Sequence, residues 1–243
     1  MRVIDNVSLR WDPEEVARER YPAVPAIVGR DAWMRLVEAL ESDGDALTAF
    51  DSFLTETEAL RSDPRVARLF VSHKSSPTDD SYAERIVKLA TTVGLPYWLD
   101  IHNPVLIRVN RQPFTGPQQG ILIAAVIEIA LLNCRSVIAV HSTLSATSKW
   151  IPYEFGRVKT HVPVSRDAAG YFHPTVWNTV AAEYFELAMK TCGEHSGPPS
   201  TPNNAWLPVT QWLTDLAKRW GFLPPHVSPS FPLVGPGGPP KLP

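Results

Sequence analysis

The chain has 243 residues, of which 44% are apolar and 20% charged, and its formal net charge is −2. This is the profile of a soluble globular protein with one ordinary domain plus extensions, or one large domain. The near-neutral charge supplies no overall field for nucleic acid or an anionic membrane, so direct nucleic-acid binding and membrane attachment are not expected.

The two cysteines, Cys134 and Cys192, are too few for a disulfide framework or a four-cysteine metal site. The N-terminal stretch MRVIDNVSLRWDPEE has no apolar signal core. The longest apolar run, Ile121 to Leu132, is interrupted by Glu128 and falls short of the ~20 residues of a membrane helix, so it reads as a buried helix. A reduced, cytoplasmic location is expected.

Residues 1–65 read as a helical N-terminal extension. Trp33, Leu36, Val37 and Leu40 have helical spacing, and Asp45 is placed to cap a second helix through Phe50, Phe53 and Leu54 to Leu60, closed by Asp63-Pro64. The expected role of this region is to pack on the domain that follows.

Residues 66–192 alternate strand and helix. A strand at Val66–Ser72 leads to a helix opened by Asp79-Asp80-Ser81, with Ala83, Ile86, Val87 and Ala90 on one face and Gly94 at its end. A strand at 96–100 precedes a long Pro-containing loop from Ile101 to Pro117. Then come the apolar helix at 118–133, a strand at 136–140 and a helix near 150–159. A strand around His161–Val164 and a helix at 175–190 complete the series. Wholly apolar strands separated by helices predict an α/β fold whose parallel sheet is covered on both faces, with the site past the carboxyl ends of the strands.

Residues 193–243 hold half of the 24 prolines and read as a Pro-rich C-terminal extension. One helix is expected within it, at about 206–220, with Val209, Trp212, Leu213, Leu216 and Trp220 on one docking face.

Polar groups leave the carboxyl ends of these strands: Ser72-His73-Lys74-Ser75, Asp100 with His102, and His141-Ser142-Thr143. Ser148 to Glu154 then runs into the next helix. Proline is tolerated only in a helix's first turn, so Pro152 sets the helix start near Trp150 and Glu154 in about the first turn. A carboxylate there is stabilised in its charged form by the helix dipole. On spacing alone Glu154 is either a functional carboxylate or a surface residue compensating that dipole. His73, His102, His141 and His161 form no spaced metal motif, and neither a G-x-S-x-G turn nor a Gly-rich phosphate loop is present. Cys134 reads as a core residue.

The series LFVSHKS, PYWLDI, IEIALLNCRSVIAVHS and SKWIPYEFGRVKTHVPV resembles the successive motifs of a TIR domain, the Toll/interleukin-1 receptor and bacterial defence family, over roughly residues 66–192. The resemblance implies a flavodoxin-like sheet of four or five parallel strands. It implies that Glu154, four residues after the aromatic Trp150, is the catalytic carboxylate of an enzyme that cleaves NAD⁺, which is the substrate, with no cofactor or metal. It further implies that Ser72, His73 and Lys74 lie in a loop touching the dinucleotide, that Trp150 packs on nicotinamide or ribose, and that Asp100 begins the mobile BB loop. The sequence departs from many members in having Pro152 between Trp150 and Glu154, and in the length of the 101–117 loop, whose substrate contacts stay unassigned.

Three functions follow as expectations. The first is an NAD⁺ glycohydrolase or cyclase releasing nicotinamide and ADP-ribose or a cyclic isomer, in bacterial antiphage or stress signalling. The second is a TIR interaction module without turnover. The third is a nucleoside deoxyribosyltransferase-like enzyme. Resemblance to this family also implies a homo-oligomer through TIR–TIR contacts and an effector or sensor protein as partner. In the 101–117 loop, Arg108 and Arg111 stand among Val105, Leu106, Ile107 and Phe114. These apolar residues form either such a contact surface or part of the domain's own core.

Overall fold

The computed structural model describes residues 28–42, 45–60, 68–111, 116–158, 165–172, 188–192, 207–224, 226 and 229. The chain forms two compact units, Met1–Phe70 with Trp98–Arg135, and Val71–Tyr97 with Ser136–Pro243.

In the first unit, α1 (Arg30–Glu41) and α2 (Ala46–Ala59) pack against α5 (Gly116–Leu132). The helical spacing read in α1 is what buries Trp33, Leu36, Val37 and Leu40. Asp45 caps α2 as expected, accepting the Leu47 N–H at 3.1 Å and the Thr48 hydroxyl at 2.7 Å; Asp63-Pro64 lies outside the described residues. Asn133 fastens the unit from the far side: its Oδ1 accepts Val28 N–H at 2.8 Å, and its Nδ2 donates to the carbonyls of Val28 and Ile129. The apolar run in α5 is buried, Glu128 included. Among the described residues no helix is long and apolar enough to cross a membrane.

The expected loop at 101–117 is a correction. A 3₁₀ turn at Asp100–His102 is followed by α4 (Pro104–Arg111), while residues 112–115 lie outside the described residues. Asn103 makes the helix by accepting the N–H groups of Val105 and Leu106, both at 3.0 Å, which is N-cap chemistry ahead of a proline at the first helical position. Val105, Leu106 and Val109 are buried. Val105 and Leu106 are therefore core side chains rather than an exposed contact surface.

In the second unit, strands β3 (Ser136–His141), β4 (Ser165–Phe172), β5 (Ala188–Cys192) and β6 (Leu207–Pro208) pair in parallel. With β1 (Leu69–Ser72) and β2 (Tyr97–Trp98) the hydrogen-bonded order is β2-β1-β3-β4-β5-β6. The expectation of an α/β fold with a parallel sheet holds, and the order β2-β1-β3-β4-β5 is that of flavodoxin-like doubly wound sheets. The fourth strand begins just after the stretch expected for it, of which 161–164 lies outside the described residues. Residues 188–190, expected at the end of a helix, are strand; the remainder of that helix, 175–187, is outside the described residues.

Helix α3 (Pro77–Thr92) starts two residues before the expected Asp79, because Ser76 is its N-cap and accepts the Asp79 N–H at 3.2 Å. It ends as expected. Gly94, at φ 73°, donates to Thr91 O while Leu95 donates to Ala90 O, the paired closure of a Schellman motif. The C-terminal helix α7 (Val209–Arg219) buries Val209, Trp212, Leu213 and Leu216, and the Trp212 indole N–H donates to Arg166 O at 3.1 Å.

Candidate functional site

Doubly wound sheets bind ligands outside the carboxyl ends of the strands where the order reverses, here between the neighbours β1 and β3. Ser72 is the last residue of β1 and His141 the last of β3. Helix α6 (Trp150–Val158) follows β3, and it begins at Trp150 as Pro152 requires. Glu154 is its fifth residue, just past the first turn, where the dipole acts less strongly than at the first three positions.

The residue scale carries more than the dipole does. Glu154 is buried, 7% exposed, and its Oε2 accepts a hydrogen bond from Ser72 Oγ at 2.5 Å across 82 residues of sequence. A surface glutamate compensating a helix end would stand in water. Glu154 is instead held inside by a hydroxyl from another strand. Burying a carboxylate is costly, and the Ser72 hydroxyl supplies one of the hydrogen bonds that offset the cost.

Next to this pair the polar side chains interlock. His73 has a side chain only 1% exposed, with Nε2 2.9 Å from Asp80 Oδ1, so it faces the protein. Lys74 is half-buried. Asp79 is fully buried and accepts the Ser142 hydroxyl at 2.8 Å. Ser142 Oγ in turn accepts the N–H groups of Leu144 and Ser145, both at 3.1 Å, and Ser145 Oγ accepts Ser142 N–H at 2.9 Å. His141 lies edge-on to Phe172, with Nδ1 3.4 Å from Ser145 Oγ, and burial lowers its pKa.

Outward from Glu154, α6 presents an exposed aromatic ledge. Trp150 and Tyr153 are 43% and 41% exposed and meet edge to face at 5.9 Å, and the Arg157 guanidinium lies 5.9 Å from the Tyr153 ring centre. Trp150, Glu154 and Arg157 recur at the i, i+4, i+7 spacing of one helix face. The arrangement offers a buried carboxylate beside open aromatic surface.

Of the six residues singled out from sequence, Ser72, His73, Lys74, Trp150 and Glu154 belong to the second unit, with Ser72 and Glu154 in direct contact. Asp100 belongs to the first, opens the 3₁₀ turn and accepts Ile101 N–H at 2.7 Å. Sequence reasoning gave Asp79 and Asp80 only the opening of a helix, and gave Ser145 no role. The signal was present: Ser76-x-x-Asp79 has the spacing of a helix-capping box, and Ser142, Ser145 and Ser148 recur every third residue. Comparison of the chain with protein-family models, curated proteins and solved structures gives no match in any of the three.

Proposed function

We propose that the protein is an NAD⁺ glycohydrolase or cyclase of the TIR type, with Glu154 as its catalytic carboxylate. The observation that carries this reading is the buried Ser72–Glu154 hydrogen bond where the strand order reverses. In the reaction the ribosyl C1′–N bond breaks and its electron pair goes to the nicotinamide nitrogen, which leaves neutral. No general acid is needed, unlike ordinary glycoside hydrolysis with its two carboxyl groups. The ribosyl carbon becomes cationic, and the Glu154 carboxylate stabilises that charge in a preorganised site. Water then adds to C1′ and gives its proton to solvent, yielding ADP-ribose. An adenine nitrogen attacking the same carbon yields a cyclic isomer. Ser72 holds the carboxylate, and Trp150 supplies a face for nicotinamide or ribose.

A second reading, a module that assembles partners without turnover, draws on the exposed Trp150 and Tyr153. The purified full chain, incubated separately with NAD⁺ and with deoxynucleosides, distinguishes the possibilities. Free nicotinamide is the expected product; a free base from deoxynucleosides would point to a deoxyribosyltransferase. Glu154→Gln, which keeps size and removes charge, should lower turnover at least ~10²-fold, the effect of deleting one electrostatic stabiliser. A Gln variant as active as wild type would refute the assignment. No release from either substrate, at high protein concentration and with a crowding agent, would favour the assembly module.

A further inference from the structure

The first turn of α3 holds two adjacent carboxylates that reach in different directions. Asp79 is fully buried and accepts the Ser142 hydroxyl, 63 residues away in the connection from β3 to α6. Asp80 Oδ1 accepts the Ser76 N–H at 3.2 Å and lies 2.9 Å from His73 Nε2, both in the connection from β1 to α3. Acids in a first turn ordinarily compensate the helix dipole from the surface. A fully buried one with a distant hydroxyl partner does more, because burying a polar group is costly without such a partner.

From Ser142 the restraint runs on to Glu154 through serines spaced by three. Ser142 Oγ accepts the Ser145 N–H, Ser145 O accepts the Ser148 N–H at 2.9 Å, and Ser148 Oγ accepts the Ile151 N–H at 3.3 Å in the first turn of α6. Glu154 stands three residues beyond. On the other side, Asp80 holds His73, whose chain neighbour Ser72 donates to Glu154.

We infer that Asp79 and Asp80 are positioning residues that clamp both connections to one helix end and so fix the Ser72–Glu154 contact. The inference rests on Glu154 as the catalytic carboxylate for its effect on turnover, but the clamp itself is readable without turnover. Neither aspartate touches the reacting atoms. His73 thereby acts through its bond to Asp80 rather than on the dinucleotide.

The test uses the full chain as wild type, Asp79→Asn, Asp79→Ala and Ser142→Ala. The Asn side chain still offers a carbonyl to the Ser142 hydroxyl, whereas Ala offers none. Amide exchange at Leu144, Ser145 and Ile151 should speed up at least ~10-fold in Asp79→Ala and in Ser142→Ala through local opening, with Val209–Arg219 unchanged and Asp79→Asn near wild type. The turnover number for NAD⁺ should fall about tenfold to a hundredfold in the two Ala variants, since small displacements of a catalytic group have effects of that order, while KM stays within about threefold. Ser142→Ala also removes the acceptor of the Leu144 and Ser145 N–H groups, so adding Asp79→Ala to it should change little beyond Ser142→Ala alone. Unchanged exchange in a folded Asp79→Ala overturns the clamp. So does exchange that rises equally at Val209–Arg219, which marks general destabilisation, and so does an unchanged turnover number. If Asp79→Ala does not fold, Ser142→Ala decides by exchange at Ile151, whose acceptor it leaves in place, and by the turnover number. Wild-type protein that releases no nicotinamide sinks the enzymatic reading alone, and the exchange measurements still decide the clamp.

Discussion

His141 shows how burial at the carboxyl end of β3 becomes a measurable pH dependence. Burial lowers its pKa from the ordinary 6.5, so between 6.5 and the lower folded value the unfolded chain binds more protons than the folded one. The sign is fixed: stability is complete above about pH 6.5 and falls as pH drops through that window. The urea midpoint should therefore decrease between about pH 7.5 and 5.5, and His141→Gln should reduce that decrease. Equal decreases in both proteins would show that His141 is not the group responsible. Cys134 responds to burial in the opposite chemical direction, its thiol being pushed up to about 12. It should resist alkylation in the folded protein near pH ~8 and react once unfolded, as residue-level mass spectrometry would show. Both residues were visible in the sequence, Cys134 as core and His141 at a strand end. The partners of the site were not, because Asp79 and Ser142 meet across 63 residues and only the sheet brings them together.

Among the elements, those whose apolar spacing repeats were legible, and the helix made by the Asn103 cap was not. Trp33, Leu36, Val37 and Leu40 announce α1, and Trp212, Leu213 and Leu216 announce α7. Helix α4 was misread because the prolines at 104, 113 and 117 make the stretch look like a loop, while the decisive signal was Asn103 before Pro104. Residues 188–190 were misread because nothing local separates a short strand from the end of an amphipathic helix; pairing of Thr191 against Tyr171 in β4 decides it. Asn103→Ala should cost about 1 kcal/mol, the usual value of an N-cap, because it abandons the Val105 and Leu106 N–H groups. Urea unfolding measures this, and an unchanged midpoint would mean that burial of Val105 and Val109 holds the helix unaided.

At the scale of the whole molecule, the C-terminal region expected as an extension contributes to the second unit's sheet and core. Strand β6 pairs with β5, and α7 packs on α3 and β5. Arg219 closes the same face, with Nη1 2.7 Å from Asp167 Oδ1 and Nη2 donating to Arg166 O. The apolar spacing of Val209, Trp212, Leu213 and Leu216 announced the docking helix, while nothing in the proline-rich sequence announced the strand Leu207–Pro208. The consequence is large. Val209, Trp212, Leu213 and Leu216 are each at most 2% exposed, and fully burying a side chain of this kind stabilises by roughly 1.5–3 kcal/mol. Removing all four is of the same order as the entire 5–15 kcal/mol stability typical of a domain. A chain ending at residue 206 should therefore lose cooperative thermal unfolding, and Trp212→Ala in the full chain should cost about 4 kcal/mol, the scale of a large-to-small core change. Trp212→Phe separates the two parts of that cost: it keeps most of the ring burial and removes the N–H that donates to Arg166 O. A shortened chain with a sharp transition at the wild-type midpoint would show that α7 rests on a core complete without it.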